Sequence, residues 1–319
     1  MGDLTGETGL SLVADIGGTN TRVALARGPV VDRATVTRYA NAAHPDLSAV
    51  LARYLSETGV ESGQITGACV AAAGPVHDGV AELTNLDWTI DRATLARALS
   101  ADRVAVLNDL QAQGHAIGHI DAADLDAVLP QPEVPAHATR LVIGLGTGFN
   151  ACPVFETPGG RFVPPSEAGH VSLPALCGEM AALTDAMVRD FGFASVEEVL
   201  SGRGIRYLHR VLHGVEAEPS EIMAAIAAGD AAAEATCAAF VRVTGTVVGD
   251  LALSHLPFGG IYLIGGVTRA FAPYFDRFGF AEALRSKGRF TEFMGQFGVF
   301  VVRDDYAALT GCASHLSKL

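Results

Sequence analysis

Apolar and polar positions divide this chain into strand-like and helix-like runs in regular succession. Residues 10–15 and 22–26 are short apolar runs on either side of a glycine-rich turn, and together they read as a hairpin. Leu47, Val50, Leu51, Tyr54 and Leu55 recur at helical spacing, which predicts a helix over Leu47–Thr58 with one buried face. Residues 67–73 form a buried strand that ends at Gly74-Pro75. A similar run, 103–107, leads directly into Asn108-Asp109 and a helix expected over 110–117. Residues 121–138 carry Pro130, Pro132 and Pro135 among several acids, and read as a loop-rich crossover and domain boundary.

Beyond that crossover the pattern begins again. Strand 140–144, glycine turn 145–148 and strand 151–155 precede an Ala-rich helical tract over 221–256. Strand 261–264 and the turn Gly265-Gly266 follow. A strand–glycine turn–strand unit thus stands near the start of each half, without any sequence repeat at a period of roughly 20–50 residues. The expectation is an α/β protein of two related lobes facing a cleft.

Composition narrows the functional classes. A chain of 319 residues can bury a sizeable core, and beyond about 250–300 residues two domains are usual. The net charge of −13, from 22 Lys+Arg against 35 Asp+Glu, argues against a nucleic-acid partner. Membrane insertion is not expected either: Arg242 and Asp250 interrupt the apolar stretch 240–256 before the roughly 20 residues that a span requires. The acidic, polar N-terminus reads as neither a signal nor a transit peptide. Five dispersed cysteines with no CxxC pair suggest reduced thiols in a cytoplasmic protein and disfavour structural zinc.

The lysine content excludes more. Only Lys287 and Lys318 are present, and no segment matches the P-loop pattern G-x-x-x-x-G-K-[ST]. Protein-kinase and Schiff-base chemistry lack their lysine as well. Any nucleotide phosphate here would be handled mainly by backbone amides, hydroxyls, metal and arginine.

Two glycine turns and two short clusters could carry chemistry. In LVADIGGTNTRVAL, residues 12–25, a strand delivers Asp15 to its end, and Gly17-Gly18 allow the backbone to approach a ligand. Thr19 adds a hydroxyl and an amide, and amides in such a turn form an anion-binding concavity. The carboxylate beside it could hold magnesium through water. A plain hairpin turn is the commoner meaning of two glycines alone, but the order Asp-x-Gly-Gly-Thr-Asn favours phosphate. IGLGTGFN, residues 143–150, repeats the device with Gly146, Thr147 and Gly148. Phe149 breaks the G-x-G-x-x-G pattern there, so a dinucleotide fold is not supported.

Asn108-Asp109 lies at a strand end, where open α/β sheets place ligands. A carboxylate there could accept a hydroxyl proton during phosphoryl transfer, although position alone favours a helix cap. Glu167 and His170, three residues apart, could be turned towards one pocket. On their own they read more readily as a solvated loop glutamate and a satisfied structural histidine. His115 and His119, and His209 and His213, have the spacing of helical metal pairs but lack the H-E-x-x-H glutamate. They read as ordinary histidines on helix surfaces.

Taken in order, LVADIGGTNTR (12–22), LTNLDW (83–88), VLNDLQAQ (106–113), GLGTG (144–148), EAGHVSLPA (167–175), EEVLSGRGI (197–205), FGGIYLIGGV (258–267) and KGRF (287–290) resemble the bacterial glucokinase family. The resemblance runs nearly end to end. It implies the two-lobed actin-like (ribonuclease H-like) ATPase fold, with a small domain of residues 1–118 and 304–319 and a large domain of 119–303. It also implies ATP-dependent phosphorylation of glucose at the 6-hydroxyl, with Mg²⁺, in the cytoplasm, and it allows a homodimer. Under it Asp109 is the general base, and Asn108, Glu167, His170 and Glu197 join Asp109 in binding the sugar. Ala14, Asp15, Ile16, Gly17, Gly18 and Thr19, with Gly146, Thr147 and Gly148, form the phosphate turns. Gly265 and Gly266 form the adenosine-side turn, and Asp15 serves the metal.

Three features refine that expectation. Phe149-Asn150 stand where many members have Leu-Gly, and Arg203 stands where a proline is usual. The sister repressor and sugar-kinase family carries a cysteine-rich zinc motif, against which this chain offers only Cys177. A regulator of this fold would be expected to carry an added DNA-binding segment, and nine residues precede the first strand here. A same-fold kinase for another hexose, or one using polyphosphate or ADP, and a catalytically silent sugar-binding regulator stay open as alternatives. Trp88, the single tryptophan, is expected beside the cleft as a reporter of sugar binding.

Overall fold

The computed structural model describes residues 9–83, 86–175 and 181–319. Asn85, within LTNLDW, and Cys177 lie outside the described residues. The chain forms two compact units. The first takes in the described residues of Met1–Ala122, Val163–Pro165 and Asp304–Leu319; the second takes in those of Ala123–Phe162 and Ser166–Arg303. Val163–Pro165, from within the stretch expected to be the second domain, packs with the first.

The first unit is built on a mixed sheet ordered β3-β2-β1-β5-β9, with β4 also paired to β2. Its strands are β1 (Leu10–Ile16), β2 (Asn20–Arg27), β3 (Val30–Val31), β4 (Thr37–Ala40), β5 (Ile65–Ala72) and β9 (Arg103–Asn108). A small antiparallel sheet of β6 (Val76–His77), β7 (Val80–Glu82) and β8 (Thr89–Asp91) lies between β5 and β9 in sequence. β1 and β2 are the expected hairpin, while β5 and β9 join in parallel. The nearly unbroken apolar run in β5 follows from this central position, since both faces are covered.

Helix α1 (Leu47–Thr58) forms where predicted, capped by Asp46, whose carboxylate accepts the Ala49 N–H at 2.8 Å. Leu47, Val50, Leu51 and Tyr54 are its buried face, each side chain contributing roughly 1.5–3 kcal/mol of burial. Helices α2 (Arg92–Leu99), α3 (Asp109–Ala116) and the helix Ala307–Leu316 complete the unit. Trp88 is only 6% exposed and packs into the same core as Leu83, Ile90 and Leu95. Its side chain is thus a core residue of this unit.

The second unit repeats the plan. Its sheet is ordered β10-β15-β14-β11-β12-β13. The strands are β10 (Leu125–Leu129), β11 (Arg140–Leu145), β12 (Phe149–Thr157), β13 (Gly160–Phe162), β14 (Ile261–Ile264) and β15 (Val299–Val302). The order β13-β12-β11-β14-β15 matches β3-β2-β1-β5-β9, with an antiparallel hairpin followed by two parallel strands. The duplicated glycine turns of the sequence are therefore the hairpin turns of two equivalent sheets.

Helices α4 (Ala181–Phe191), α5 (Gly202–His213), α6 (Pro219–Ala227), α7 (Ala231–His255), α8 (Gly266–Phe271) and α9 (Phe280–Arg285) surround this sheet. The single tract expected over 221–256 is in fact two helices. Gly229 adopts φ 79°, which ends α6, and Asp230 caps α7 by accepting the Ala233 N–H at 2.9 Å. By length and composition α7 could cross a membrane, but 67% of its most apolar window is buried in this unit, as befits a core helix.

Candidate functional site

In the first unit, three neighbouring parallel strands end at one edge of the sheet. The register pairs Asp15 with Ala71 and Ala72 with Asn108, so Asp15, Gly74 and Asn108-Asp109 gather at the carboxyl ends of β1, β5 and β9. The Gly17-Gly18-Thr19 turn closes with the Gly17 N–H donating to the Asn20 carbonyl at 3.0 Å. Buried Asn41 braces it. Its side-chain amide donates to the Gly17 carbonyl at 2.8 Å and accepts from the Thr21 hydroxyl at 2.8 Å, while its N–H donates to the Thr19 carbonyl at 2.9 Å. Gly18 and Thr19 are exposed at the tip.

Asp15 faces Arg22 across the hairpin at 3.4 Å, and Arg22 also donates to the Asp305 carbonyl at 3.1 Å. Burial raises the pKa of the Asp15 carboxyl, and the Arg22 guanidinium partly offsets that rise. Asp15 is a residue here that could hold a magnesium ion through water. Among the described residues no group of three or more His, Cys, Asp or Glu side chains forms a metal cage.

Asn108 is the cap of α3, as its position suggested. Its side-chain Oδ1 accepts the Leu110 N–H at 3.0 Å, and its backbone N–H donates to Gln111 Oε1 at 3.1 Å, closing a capping box. Its side-chain amide donates to the Gly74 carbonyl at 2.8 Å, which ties the ends of β5 and β9 together. Asp109 is the first residue of the helix, half-buried, and its Oδ1 accepts the Leu110 N–H at 2.8 Å. Cap and acid are thus successive residues: the first fixes the turn, and the second carries a carboxylate at the strand edge.

In the second unit, three loops are knitted together. The Gly146–Thr147–Gly148 turn of the β11–β12 hairpin closes with the Gly146 N–H on the Gly148 carbonyl at 2.9 Å. The Gly146 carbonyl accepts the Gly202 N–H at 2.9 Å, which pins the start of α5 to the turn. Glu197 Oε2 accepts the Phe149 N–H at 2.9 Å. It lies so close to Gly148 that a Cβ there would sit 2.5 Å from it, so only glycine leaves the carboxylate undisturbed. The Glu197 N–H donates to the Gly169 carbonyl at 2.9 Å, drawing in the loop with Glu167 and His170.

Glu167 and His170 are exposed, with His170 Nε2 4.0 Å from Glu167 Oε2. Gly265 ends β14 with φ 115°, and a side chain there would collide with the Leu145 carbonyl, so its turn rests directly on the end of β11. Gly266 beside it has open space.

Three participants were not legible as such. Asn41 gives no sequence signal. Asn150 and Arg203 were visible only as departures from a pattern. Neither Phe149 nor Asn150 has positive φ, so Asn150 is an ordinary strand residue opposite Gly144. Its side chain donates to the Ser166 carbonyl at 2.5 Å and accepts the Ala168 N–H at 2.9 Å, thereby holding the Glu167 loop. Two of the four histidines read as lying on helix surfaces are instead buried. His115 is buried against His315, with ring centroids 4.4 Å apart, because Ala307–Leu316 packs over α3. His209 is buried with Nδ1 2.8 Å from the Thr236 hydroxyl of α7.

A glucokinase family profile matches residues 12–319. The chain belongs to the glucokinase family. A glucokinase of Pseudomonas aeruginosa is 34% identical over 318 residues, covering 97% of this chain and 95% of the relative. The crystal structure of a glucokinase from an Antarctic psychrotroph superposes with a TM-score of 0.85 at 29% identity, covering 97% and 99% of the two chains. A glucokinase of the sister family from Streptomyces griseus, solved in complex with glucose and AMPPNP, shares the fold at 20% identity. Its TM-score is 0.65, with coverage of 96% and 99%. The two mixed sheets with flanking helices are those of the actin- and hexokinase-like ATPases, as expected.

Proposed function

We propose that this family member transfers the γ-phosphoryl group of ATP to the 6-hydroxyl of glucose, with Asp109 as general base. The observation that carries this reading is the placement of Asp15 and Asp109 at the ends of β1 and β9, on one edge of one sheet. Asp109 takes the hydroxyl proton as the sugar oxygen forms its bond to the γ-phosphorus and the bond to the bridging β-phosphate oxygen breaks. Asn108 orients that carboxylate through the cap of α3 and contributes to sugar binding.

Glu167, His170 and Glu197 accept and donate hydrogen bonds to the ring hydroxyls, for which carboxylate and imidazole groups are suited. Backbone amides around Ala14–Thr19 and Gly146–Gly148 receive the phosphates, as anion-binding turns do, and the Gly265-Gly266 turn lies on the adenosine side. Asp15 would hold magnesium through water; when bound, the ion neutralises charge on the phosphates. Cys69, Cys152, Cys237 and Cys312 are buried and outside any disulfide, in accord with a reducing, cytoplasmic setting.

A coupled assay of the purified protein against a panel of hexoses and donors tests the reading. Glucose with Mg-ATP is expected to give the highest kcat/KM. Preference for another hexose, or for polyphosphate or ADP, would replace it, and no turnover with any pair would leave a binding protein.

A further inference from the structure

Arg203 stands in the first turn of α5, where a cation meets the unfavourable end of the helix dipole. Helix preference does not explain it. Its partners do: one guanidinium nitrogen donates to Glu197 Oε1 at 2.7 Å and to Glu198 Oε1 at 3.0 Å. The Glu197 side chain is only 15% exposed, and a mostly buried carboxylate beside a second carboxylate needs a counter-charge to keep its place. The other Glu197 oxygen is already held by the Phe149 amide. Held at both oxygens, the carboxylate has a fixed plane, and its remaining lone pairs point in fixed directions as acceptors.

We propose that Arg203 is a positioning residue for sugar binding, aiming the Glu197 carboxylate at a sugar hydroxyl while holding it against the Gly146–Gly148 turn. The inference rests on the reading of Glu197 as a sugar ligand. The hydrogen bonds of the guanidinium run to the carboxylates of Glu197 and Glu198, so it acts through Glu197 rather than on the phosphates.

Steady-state kinetics of Arg203→Ala, Arg203→Lys and Glu197→Gln, with glucose and Mg-ATP varied separately, tests it. Wild-type turnover of glucose is measured first, so a failure of the functional reading appears there and not in the variants. Arg203→Ala is expected to raise the glucose KM about tenfold, the scale of one charge-assisted hydrogen bond. Its kcat and Mg-ATP KM should stay within about twofold of wild type. Arg203→Lys restores most of the loss, because an ammonium can still bridge the two carboxylates.

An unchanged glucose KM in folded Arg203→Ala, with Glu197→Gln impaired, would overturn the inference. So would a rise confined to the Mg-ATP KM, which would put the guanidinium on phosphate, or a uniform fall in kcat with lowered Tm and no lysine rescue. Should Arg203→Ala fail to fold, Arg203→Met, which keeps the aliphatic stem, carries the same measurement.

Discussion

Glu197 Oε2 accepts the N–H of Phe149 at 2.9 Å, so a side chain read as a sugar ligand is bonded to the strand that leaves the Gly146–Gly148 turn. The contact is possible because residue 148 has no side chain. A ligand that moves Glu197 therefore acts directly on the turn, and the reverse holds as well.

Gly148→Ala tests this coupling. The new methyl would meet the end of a flexible glutamate, which can swing away, so the fold should lose little stability. The carboxylate would leave its place and lose the Phe149 bond, at a cost of about 0.5–1.5 kcal/mol, or roughly two- to tenfold in glucose affinity. Calorimetry should show that weakening with Tm nearly unchanged. A large fall in Tm with intact glucose binding would contradict it.

Asn150→Ala removes two hydrogen bonds that hold the Glu167 loop. A net loss of about 1–3 kcal/mol is expected for two such bonds. Part should appear as lower Tm and part as a several-fold higher glucose KM. Denaturant unfolding and initial rates measured on the same preparation separate the two effects.

Asp15→Asn should uncouple stability from function. The carboxyl pKa is raised in the fold, so between the ordinary carboxylate range and that raised value the native state binds more protons than the unfolded one. Stability from this group therefore falls as pH rises through that window, and the penalty persists above it. The variant should be no less stable than wild type at neutral pH, with the difference shrinking in acid, while its use of Mg-ATP is impaired. Unfolding curves at neutral and acid pH, with the Mg-ATP KM, check both halves.

Burial lowers the pKa of His209, with a further contribution from His213, and burial likewise lowers that of His315, with Lys318 adding to it. Both are neutral guests in the fold. The unfolded chain binds protons first as pH falls through the ordinary imidazole range, so stability should drop from about pH 7 to pH 5. His209→Asn and His315→Phe should flatten that slope in denaturant titrations; an unchanged slope in both would refute the assignment.

The sheets and helices were legible wherever a local pattern dominates. The face of α1, the apolar β5 and the two glycine hairpins each follow from a short stretch of residues. The break between α6 and α7 was hidden by alanine-rich flanks, although Gly229-Asp230 carries both a helix stop and a new cap. Asn108 and Asp109 were legible as a pair with two readings, and the structure gives the cap to the first. What could not be read were contacts between distant segments. Asn41 bracing the Gly17 turn, Asn150 holding 166–168, and Arg203 on Glu197 are all side chains whose partners become neighbours only after folding. His115 was misplaced for the same reason: nothing local reveals that another element covers it.

The central claim is that Asp109 removes the proton from the sugar hydroxyl, and the kcat of Asp109→Asn at saturating glucose and Mg-ATP tests it most directly. Asparagine keeps the size of the side chain and an oxygen that can accept the Leu110 N–H, so the helix start and glucose binding by calorimetry should survive. A positioned base typically contributes about 10²–10⁴-fold, and kcat is expected to fall by that factor. A folded Asp109→Asn protein that binds glucose and turns it over at close to the wild-type rate would contradict the account.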